Sequence, residues 1–476
     1  MRVPSPASPA NALSDDFLAG VIEGFYGAPW TQAERFQLFD WMAGWSLNTY
    51  LYAPKDDLKH RAIWRELYGA QEAAELGELI QACQHHGLHF IYGLSPGLDL
   101  RYSSASDLEL LQQRFEQMLT LGCAQFCLLF DDIPDRVAEE DLQRWGSLAS
   151  AQAAVSNAMF SWLRERRPAA RLLFCPTPYC GRMAERKLGG EDYLPTLGKA
   201  LRPEIDIFWT GPEIISRDIP VEHVVELQKV LRRKPVIWDN LHANDYDGRR
   251  FFCGPYSGRP RELIGHVRGL LSNPNCEFPL NFIPLQTLGE FVHGTGAWDP
   301  RAAFLRGLEA WRGEFQTVGR ELDSTDLLLF ADCYYLPHEE GASAEEFCRA
   351  LQDVLSRPPA EWGAQGDAVR RRVARFRDWC GRLTELRQRP LFHALSRRVW
   401  ELREELDLLD RGLTSNASAG RKAFQPFGSD FHLPGTYRGG VVPRLQRMLA
   451  QQPDGTFAPP PTPAPGRAPS LTPCPP

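Results

Sequence analysis

A continuous apolar run, residues 126–130, leads directly into two adjacent carboxylates, Asp131 and Asp132. Gly122 precedes the run and Pro134 follows it, so it has the length and the boundaries of a strand buried on both faces. Parallel α/β folds place their chemistry at the carboxyl ends of such strands. Adjacent acids repel each other when both are ionised, so we expect a cleft that uses a difference between their pKa values.

Composition limits the class of protein around this strand. Of the 476 residues, 43% are hydrophobic and 24% are charged, which is typical of a globular protein with a large core. The net charge of −7 does not favour nucleic acid or an anionic membrane as a partner. Eleven cysteines without a CxxC pair indicate reduced thiols rather than disulfides or a zinc site. No signal segment or membrane-spanning run is recognisable, so we expect a soluble protein of the cytoplasm and nucleus.

The pattern from residue 16 to about 288 alternates strand-like and helical runs. Eight such units in a segment of this length are typical of a (β/α)8 TIM barrel, which we assign to residues 16–298. The eight predicted strands are Phe17–Glu23, Leu47–Ala53, His89–Leu94, Phe126–Asp131, Arg171–Cys175, Ile205–Thr210, Pro235–Asp239 and Cys276–Phe282.

Polar and aromatic residues gather where these strands end. Trp209 closes one strand, and Trp238 is followed by Asp239 and Asn240 at the end of another. Large aromatic rings beside amides and carboxylates are typical of carbohydrate sites, and the carboxyl ends of barrel strands are where barrel enzymes act.

The pattern becomes purely helical from about residue 300. We predict a helical bundle, a stalk domain, over 299–450, with disordered segments at 1–15 and 451–476. Ser343 and Glu346 have the spacing of a capping box at the start of one helix. Another helix carries an apolar stripe formed by Leu395, Val399, Leu402, Leu406 and Leu409.

Paired carboxylates at a barrel mouth with aromatic walls favour glycoside hydrolysis. Neighbours in an extended strand point to opposite faces, so Asp131 and Asp132 do not suit a nucleophile and acid on either side of a sugar unless the strand has ended. They better suit substrate-assisted chemistry, in which a 2-acetamido oxygen attacks C1. The pair is equally typical of a divalent-metal site or a structural ion pair, but no His or third carboxylate has metal-ligand spacing to Asp131.

Several motifs resemble one family closely. GVIEGFYGAPW, YLYAPKDDLKHR, SPGLDL, LLFDDI, LFCPTPYCG, WTGP, VIWDNLHANDYD and NPNCEF follow in the order of the catalytic domain of glycoside hydrolase family 84 β-N-acetylglucosaminidases, the O-GlcNAcases. This resemblance covers about residues 17–295, and STDLLLFADCYYLP and YRGG resemble the family's stalk more weakly. Relative to the eukaryotic members, the stalk insertion is shortened and the sequence stops near where their acetyltransferase-like carboxyl-terminal domain would begin, so we expect a short, hydrolase-only form.

The resemblance implies a retaining, metal-independent and cofactor-free enzyme that removes O-linked GlcNAc from Ser/Thr of intracellular proteins through an oxazoline-like intermediate. It implies that Asp131 orients and polarises the acetamido group and that Asp132 is the general acid/base. The remaining implied site comprises Tyr179, Asn240, Trp238 and Cys175 around the acetamido group, Gly24, Lys55, Asp245 and Asn273 at the sugar hydroxyls, and Tyr26 and Tyr246 at the mouth.

Other interpretations remain open from the residues alone. Lys55 has Asp56 and Asp57 beside it as ion-pair partners, Trp238 and Cys175 fit an ordinary core, and Asn273 before a proline fits a turn. At the level of function, the alternatives are a catalytically silent O-GlcNAc-peptide reader and a hyaluronidase-like glycosidase. The family also implies a homodimer through the stalk, for which the apolar stripe is a candidate surface.

Overall fold

The computed structural model describes residues 16–418, 439–451 and 457–458, and the chain divides into two compact units between Trp311 and Arg312. The segment 1–15 and most of 451–476 lie outside the described residues. The described part of the predicted disordered tail differs from that prediction, since β9 (Ala450–Gln451) and β10 (Phe457–Ala458) form a short antiparallel pair.

Within residues 16–311, all of which are described, eight parallel strands close into a barrel, which confirms the predicted TIM-barrel fold. Each strand pairs with the next in sequence, and closure pairs Leu18 with Gly269. The strands are β1 (Leu18–Glu23), β2 (Thr49–Tyr52), β3 (His89–Leu94), β4 (Gln125–Leu129), β5 (Arg171–Cys175), β6 (Asp206–Trp209), β7 (Val236–Asp239) and β8 (Gly269–Ser272).

Helices follow most of these strands. The first begins at a capping box, because the Thr31 side chain accepts from the Glu34 N–H while the Glu34 carboxylate accepts from the Thr31 N–H. The helices of this unit are α1 (Gln32–Gly44), α2 (Ala70–His85), α3 (Ala105–Thr120), α4 (Glu139–Trp145), α5 (Leu148–Arg166), α6 (Gly181–Glu185), α7 (Tyr193–Ala200), α8 (Val221–Leu231), α9 (Phe282–His293) and α10 (Pro300–Trp311), with 3-10 turns at Arg261–His266 and Phe278–Asn281.

The predicted eighth strand is wrong. The apolar residues of 276–282 predict a strand, but this segment contains the 3-10 turn Phe278–Asn281 and the first residue of α9. The true strand, β8, is four residues long and begins at Gly269, whose close approach to β1 leaves no room for a side chain. Pro279 within 276–282 also lacks the N–H that a central strand needs. The other seven predicted strands overlap the observed ones.

Strand β4 shows how the barrel orients its residues. Cys127 and Leu129 belong to the cluster that fills the barrel, whereas the Phe126 ring stacks on Phe115 of α3 at 4.4 Å. Side chains alternate between the two faces of a strand, so Cys127 and Leu129 face the barrel interior while Phe126 faces the surrounding helices. The strand itself ends at Leu129, earlier than predicted, so both carboxylates follow it.

The second unit is helical, as predicted. Its helices are α11 (Ser324–Cys333), α12 (Ala342–Leu355), α13 (Gly363–Arg382), α14 (Arg389–Ser418) and α15 (Val441–Met448), with 3-10 turns at Arg312–Phe315, Pro359–Glu361 and Leu383–Glu385. The sequence places the start of the helical domain at residue 299, whereas the compact units divide after α10.

Two predictions in this unit require correction. Ser343 does not cap a helix: α12 already begins at Ala342, and the Ser343 N–H and hydroxyl both donate to the Asp332 carboxylate. The apolar stripe of α14 is not a free surface, because all five of its residues are buried within the chain. The homodimer stays a prediction, but this stripe no longer supports it.

Candidate active site

The residues that the sequence assigns to the site all lie at or just beyond the carboxyl ends of barrel strands. They come from the ends of six different strands, which barrel closure brings together. They are Gly24 and Tyr26 after β1, Lys55 after β2, Asp131 and Asp132 after β4, Cys175 and Tyr179 at and after β5, Trp238, Asn240, Asp245 and Tyr246 at and after β7, and Asn273 after β8.

Asp131 forms a buried ion pair with Lys55. The Lys55 ammonium donates to Asp131 Oδ2 at 2.5 Å, and both side chains are almost inaccessible to water. Burial opposes ionisation of this carboxyl, but Lys55 and the more distant Arg61 outweigh it and hold the pKa of Asp131 below its usual value. Asp131 Oδ1 is buried and has no hydrogen-bond partner among the described residues. One oxygen of an ionised carboxylate is therefore left to accept a bond from a ligand.

Asp132 has a different environment, although it is the next residue. Its side chain is exposed, and its backbone φ of 50° lies in the left-handed region, which non-glycine residues adopt rarely and often at active sites. Tyr179 donates to Asp132 Oδ1 at 2.8 Å and Tyr26 donates to Oδ2 at 3.1 Å. Burial and the charge of Asp132 raise the pKa of both phenols, so these tyrosines remain donors.

The two carboxylates lie beyond the strand, in a turn with its own backbone geometry. Asp131 and Asp132 both follow the end of β4, so the rule that strand neighbours face opposite sides does not apply to them. They are separated instead by the left-handed backbone and by different partners: a lysine for Asp131 and two tyrosines for Asp132.

Asp245 joins the β7 loop to the β1 loop. Its carboxylate accepts the backbone N–H of Tyr26 at 3.0 Å. Burial raises the pKa of Asp245, the N–H groups of Tyr26 and Tyr246 oppose that rise, and the charge of Asp132 adds to it. Tyr246 is 49% exposed.

An indole and two side-chain amides lie at the ends of β7 and β8: Trp238, Asn240 and Asn273. Gly24 lies against Trp238, and a Cβ at Gly24 would be 2.7 Å from the indole ring, so only glycine fits there. The Asn273 side-chain amide donates to Asn240 Oδ1 at 2.9 Å, and the Asn240 amide donates to the backbone carbonyl of Ile214 at 2.8 Å. Asn273 Oδ1 is buried and has no partner in the described part of the chain.

The structure decides some of the alternative interpretations. Lys55 pairs with Asp131 and not with Asp56 or Asp57, so the interpretation that it neutralises its neighbours is wrong. Trp238 and Cys175 are buried in the cluster that fills the barrel, so they contribute to the core whether or not they also touch a ligand. Among the residues that the structure describes, no group of three or more His, Cys, Asp or Glu side chains is placed to hold a metal ion.

Sequence reasoning missed Arg61 and Ser95. Arg61 donates to the backbone carbonyl of Asp132 at 2.7 Å and to the Ser95 hydroxyl at 3.0 Å. Both residues lie in or beside motifs quoted above, but nothing in the spacing indicates that Arg61 reaches the β4 loop.

With this geometry established, comparison with known proteins identifies the family. The family of beta-N-acetylglucosaminidases matches residues 19–327, about two thirds of the chain. The chain belongs to this family. It is 47% identical over 272 residues to the protein O-GlcNAcases of Rattus norvegicus and Mus musculus, a match that covers 57% of this chain. Among solved structures, a mutant O-GlcNAc hydrolase of Thermobaculum terrenum superposes with a TM-score of 0.75 at 30% identity, covering 84% of each chain.

The match spans 29% of the length of the two rodent proteins. The family match, residues 19–327, begins at the second residue of β1, includes the other seven barrel strands and ends within α11 of the second unit. No helix within 16–418 or 439–451 is long and apolar enough to cross a membrane.

Proposed function

We propose that this protein is a retaining β-N-acetylglucosaminidase that removes O-linked GlcNAc from proteins by substrate-assisted catalysis. The observation that carries the proposal is the contrast between two adjacent carboxylates at one barrel mouth. Asp131 is buried and paired with Lys55, and one of its oxygens has no partner among the described residues, whereas Asp132 is exposed and accepts from two tyrosine hydroxyls. Two carboxyl groups in such different environments suit two different roles.

In the first step, the acetamido carbonyl oxygen attacks C1 of the same sugar and the bond from C1 to the glycosidic oxygen breaks. Asp131 Oδ1 accepts the acetamide N–H, which raises the electron density on the attacking oxygen. Asp132 transfers its proton to the departing oxygen, and the product is a cyclic oxazoline-like intermediate with a free Ser or Thr hydroxyl.

In the second step, water attacks C1 from the face that the leaving group vacated. Asp132, now a carboxylate, accepts the proton from that water, and the acetamido group returns to its open form. Two inversions at C1 give net retention of configuration. Asn240, Trp238, Cys175 and Tyr179 would surround the acetamido group, and the Gly24 carbonyl, Lys55, Asp245 and Asn273 would bind the sugar hydroxyls.

Hydrolysis of a fluorogenic GlcNAc glycoside, with and without EDTA, tests this proposal beside Asp132→Asn. We expect EDTA-insensitive release with retained anomeric configuration by nuclear magnetic resonance, and loss of turnover in the variant. Unchanged turnover in Asp132→Asn would contradict the acid/base assignment. An inactive wild type that still binds GlcNAc-thiazoline would instead support the O-GlcNAc-peptide reader.

We further propose intracellular O-GlcNAc-modified proteins as substrates and the cytoplasm and nucleus as location. The support is the similarity to rodent proteins named O-GlcNAcase together with the scattered cysteines, which form no disulfide in the described part of the chain. Release of GlcNAc from a modified peptide and microscopy of a tagged chain test these two points separately.

A homodimer through the second unit completes the proposal. Its support is the resemblance to the family. The apolar stripe on α14 gives none, because its residues are buried within the chain. Light scattering at micromolar concentration should give twice the mass of the chain, and the mass of a single chain would contradict it.

A further inference from the structure

Arg61 lies beside the two carboxylates but belongs to none of the roles above. Its guanidinium is largely buried and makes two forked hydrogen bonds, one to the Ser95 hydroxyl after β3 and one to the backbone carbonyl of Asp132 after β4. It also lies 5.9 Å from the centre of the Tyr26 ring, whose hydroxyl donates to the Asp132 carboxylate. Arg61 therefore contacts both the backbone of Asp132 and one of its side-chain donors.

The backbone that Arg61 holds is an unfavourable one. A non-glycine residue with φ of 50° needs its surroundings to fix it. The residue before, Asp131, is anchored by Lys55, and the residue after, Ile133, packs against Gly97, where a Cβ would lie 2.8 Å from the Ile133 side chain. The carbonyl of Asp132 itself is bound by Arg61. Removing Arg61 frees the central peptide of this turn.

We propose that Arg61 is a positioning residue that sets the direction of the Asp132 side chain for proton transfer. This inference rests on the proposed role of Asp132. The guanidinium fork joins the β3 end to the left-handed turn and lies 5.9 Å from the Tyr26 ring, so the carboxyl group stays where a glycosidic oxygen can take its proton. Proton transfer requires donor and acceptor within hydrogen-bond reach, so a small rotation of the turn weakens it.

Arg61 also acts on Asp131 through its charge, and the two effects can be separated. Its positive charge contributes to the low pKa of Asp131, which would affect every substrate alike. The fork affects only substrates whose leaving group must be protonated. Arg61→Lys retains the charge but lacks the planar fork that reaches both Ser95 and Asp132.

The test compares two aryl GlcNAc glycosides on the full chain. A dinitrophenyl glycoside departs without protonation, whereas a methoxyphenyl glycoside needs the general acid. We expect Arg61→Met to reduce kcat/KM for the methoxyphenyl substrate at least about tenfold more than for the dinitrophenyl one, a part of the 10²–10⁴-fold that general acid catalysis supplies. Arg61→Lys should show the same selectivity with a smaller loss on the dinitrophenyl substrate.

Two further variants control the experiment. Arg65→Met is matched to Arg61→Met, since Arg65 lies in the same loop but binds Asp99 and Asp107, and it should show no leaving-group selectivity. Ser95→Ala removes the second acceptor of the fork with less risk to folding, and it should show the selective loss in smaller measure. Thermal unfolding and GlcNAc-thiazoline binding verify that each variant is folded.

The outcomes separate this inference from the proposed function. The positioning role would be overturned if Arg61→Met and Ser95→Ala lost equal activity on both substrates, or if Arg61→Lys kept full activity. In either case Asp132→Asn would still lose more activity on the methoxyphenyl substrate. If Asp132→Asn itself shows no leaving-group selectivity, the proposed function fails first. We expect kcat/KM to fall more for the methoxyphenyl than for the dinitrophenyl substrate in Asp132→Asn, Arg61→Met and Ser95→Ala. Arg65→Met should show no such difference.

Discussion

Two buried ion pairs lie at the carboxyl end of the same barrel and differ in how completely their carboxylates are bonded. At the end of β7, Asp239 accepts four hydrogen bonds: two from Arg259, one from Tyr256 and one from the Leu241 N–H. After β4, Asp131 accepts one side-chain bond from Lys55, and its Oδ1 has no partner among the described residues.

The difference separates a structural pair from a pair available to a ligand. Asp239 has no capacity left, and all five N–H groups of Arg259 have acceptors, so this pair joins β7 to the loop before the 3-10 turn at Arg261–His266. Asp131 is ionised and buried, and only one of its two oxygens accepts a hydrogen bond among the described residues. A buried acceptor without a partner lowers the stability of the free protein, and a substrate that donates to it removes that cost. Unused hydrogen-bonding capacity, rather than charge or burial, marks the active carboxylate.

The largest expected effect is on turnover. Asp131→Asn should reduce kcat/KM for a fluorogenic GlcNAc glycoside on the order of 10²-fold or more, because the amide cannot accept the acetamide N–H as an ionised oxygen does. Asp239→Asn is the matched variant at the saturated pair, and its folded fraction should keep near-normal turnover. Comparable losses in both would mean that hydrogen-bond saturation does not distinguish the pairs.

The next effect is on stability, where we expect the larger loss in Asp239→Asn rather than in Asp131→Asn. Asp239→Asn leaves Arg259 buried without its counter-charge and should lower the free energy of unfolding by about 3–5 kcal/mol. Asp131→Asn should cost less, since Asp131 has one such bond to lose rather than four. Urea unfolding of the two variants measures this order, and the reverse order would break the comparison.

A third prediction concerns the pH dependence of activity. Lys55 holds the pKa of Asp131 below its usual value, so Lys55→Met should raise that pKa and move the acid limb of kcat/KM to higher pH. The ionised Asp131 also stabilises the native wild type above its unfolded-state pKa, and this contribution is lost as pH falls through the lower native pKa. Lys59→Met is the control, because Lys59 lies in the same loop as Lys55 but pairs with Glu72 of α2. An unmoved acid limb would refute the coupling.

The smallest effects come from two tyrosines that each donate at 2.8 Å to a carboxylate. Tyr256→Phe removes a donor from Asp239 and should lower the free energy of unfolding by about 1–3 kcal/mol. Tyr179→Phe removes a donor from Asp132 and should reduce kcat/KM, by about tenfold, with a smaller effect on stability. Thermal unfolding and steady-state kinetics of both variants check this prediction. Equal losses of stability and of kcat/KM in the two variants would contradict it.

Much of the barrel could be predicted from the chain, and the failures share a cause. Seven strands can be predicted because each contains at least three apolar residues. The eighth, β8, contains only two, Leu270 and Leu271, and the more apolar segment 276–282 follows it, so the pattern indicates the wrong segment. Ser343 was misplaced for a similar reason: its spacing to Glu346 fits a cap, but Asp332 binds it instead.

The sequence by itself determined the fold class, the family and the position of the carboxylate pair, because apolar periodicity and motifs are local properties of the chain. Only the tertiary structure decided that Lys55 pairs with Asp131, that Asp132 adopts a left-handed turn, and that Arg61 holds it. These contacts join residues more than 70 positions apart, and barrel closure, which no local pattern encodes, brings them within hydrogen-bond reach.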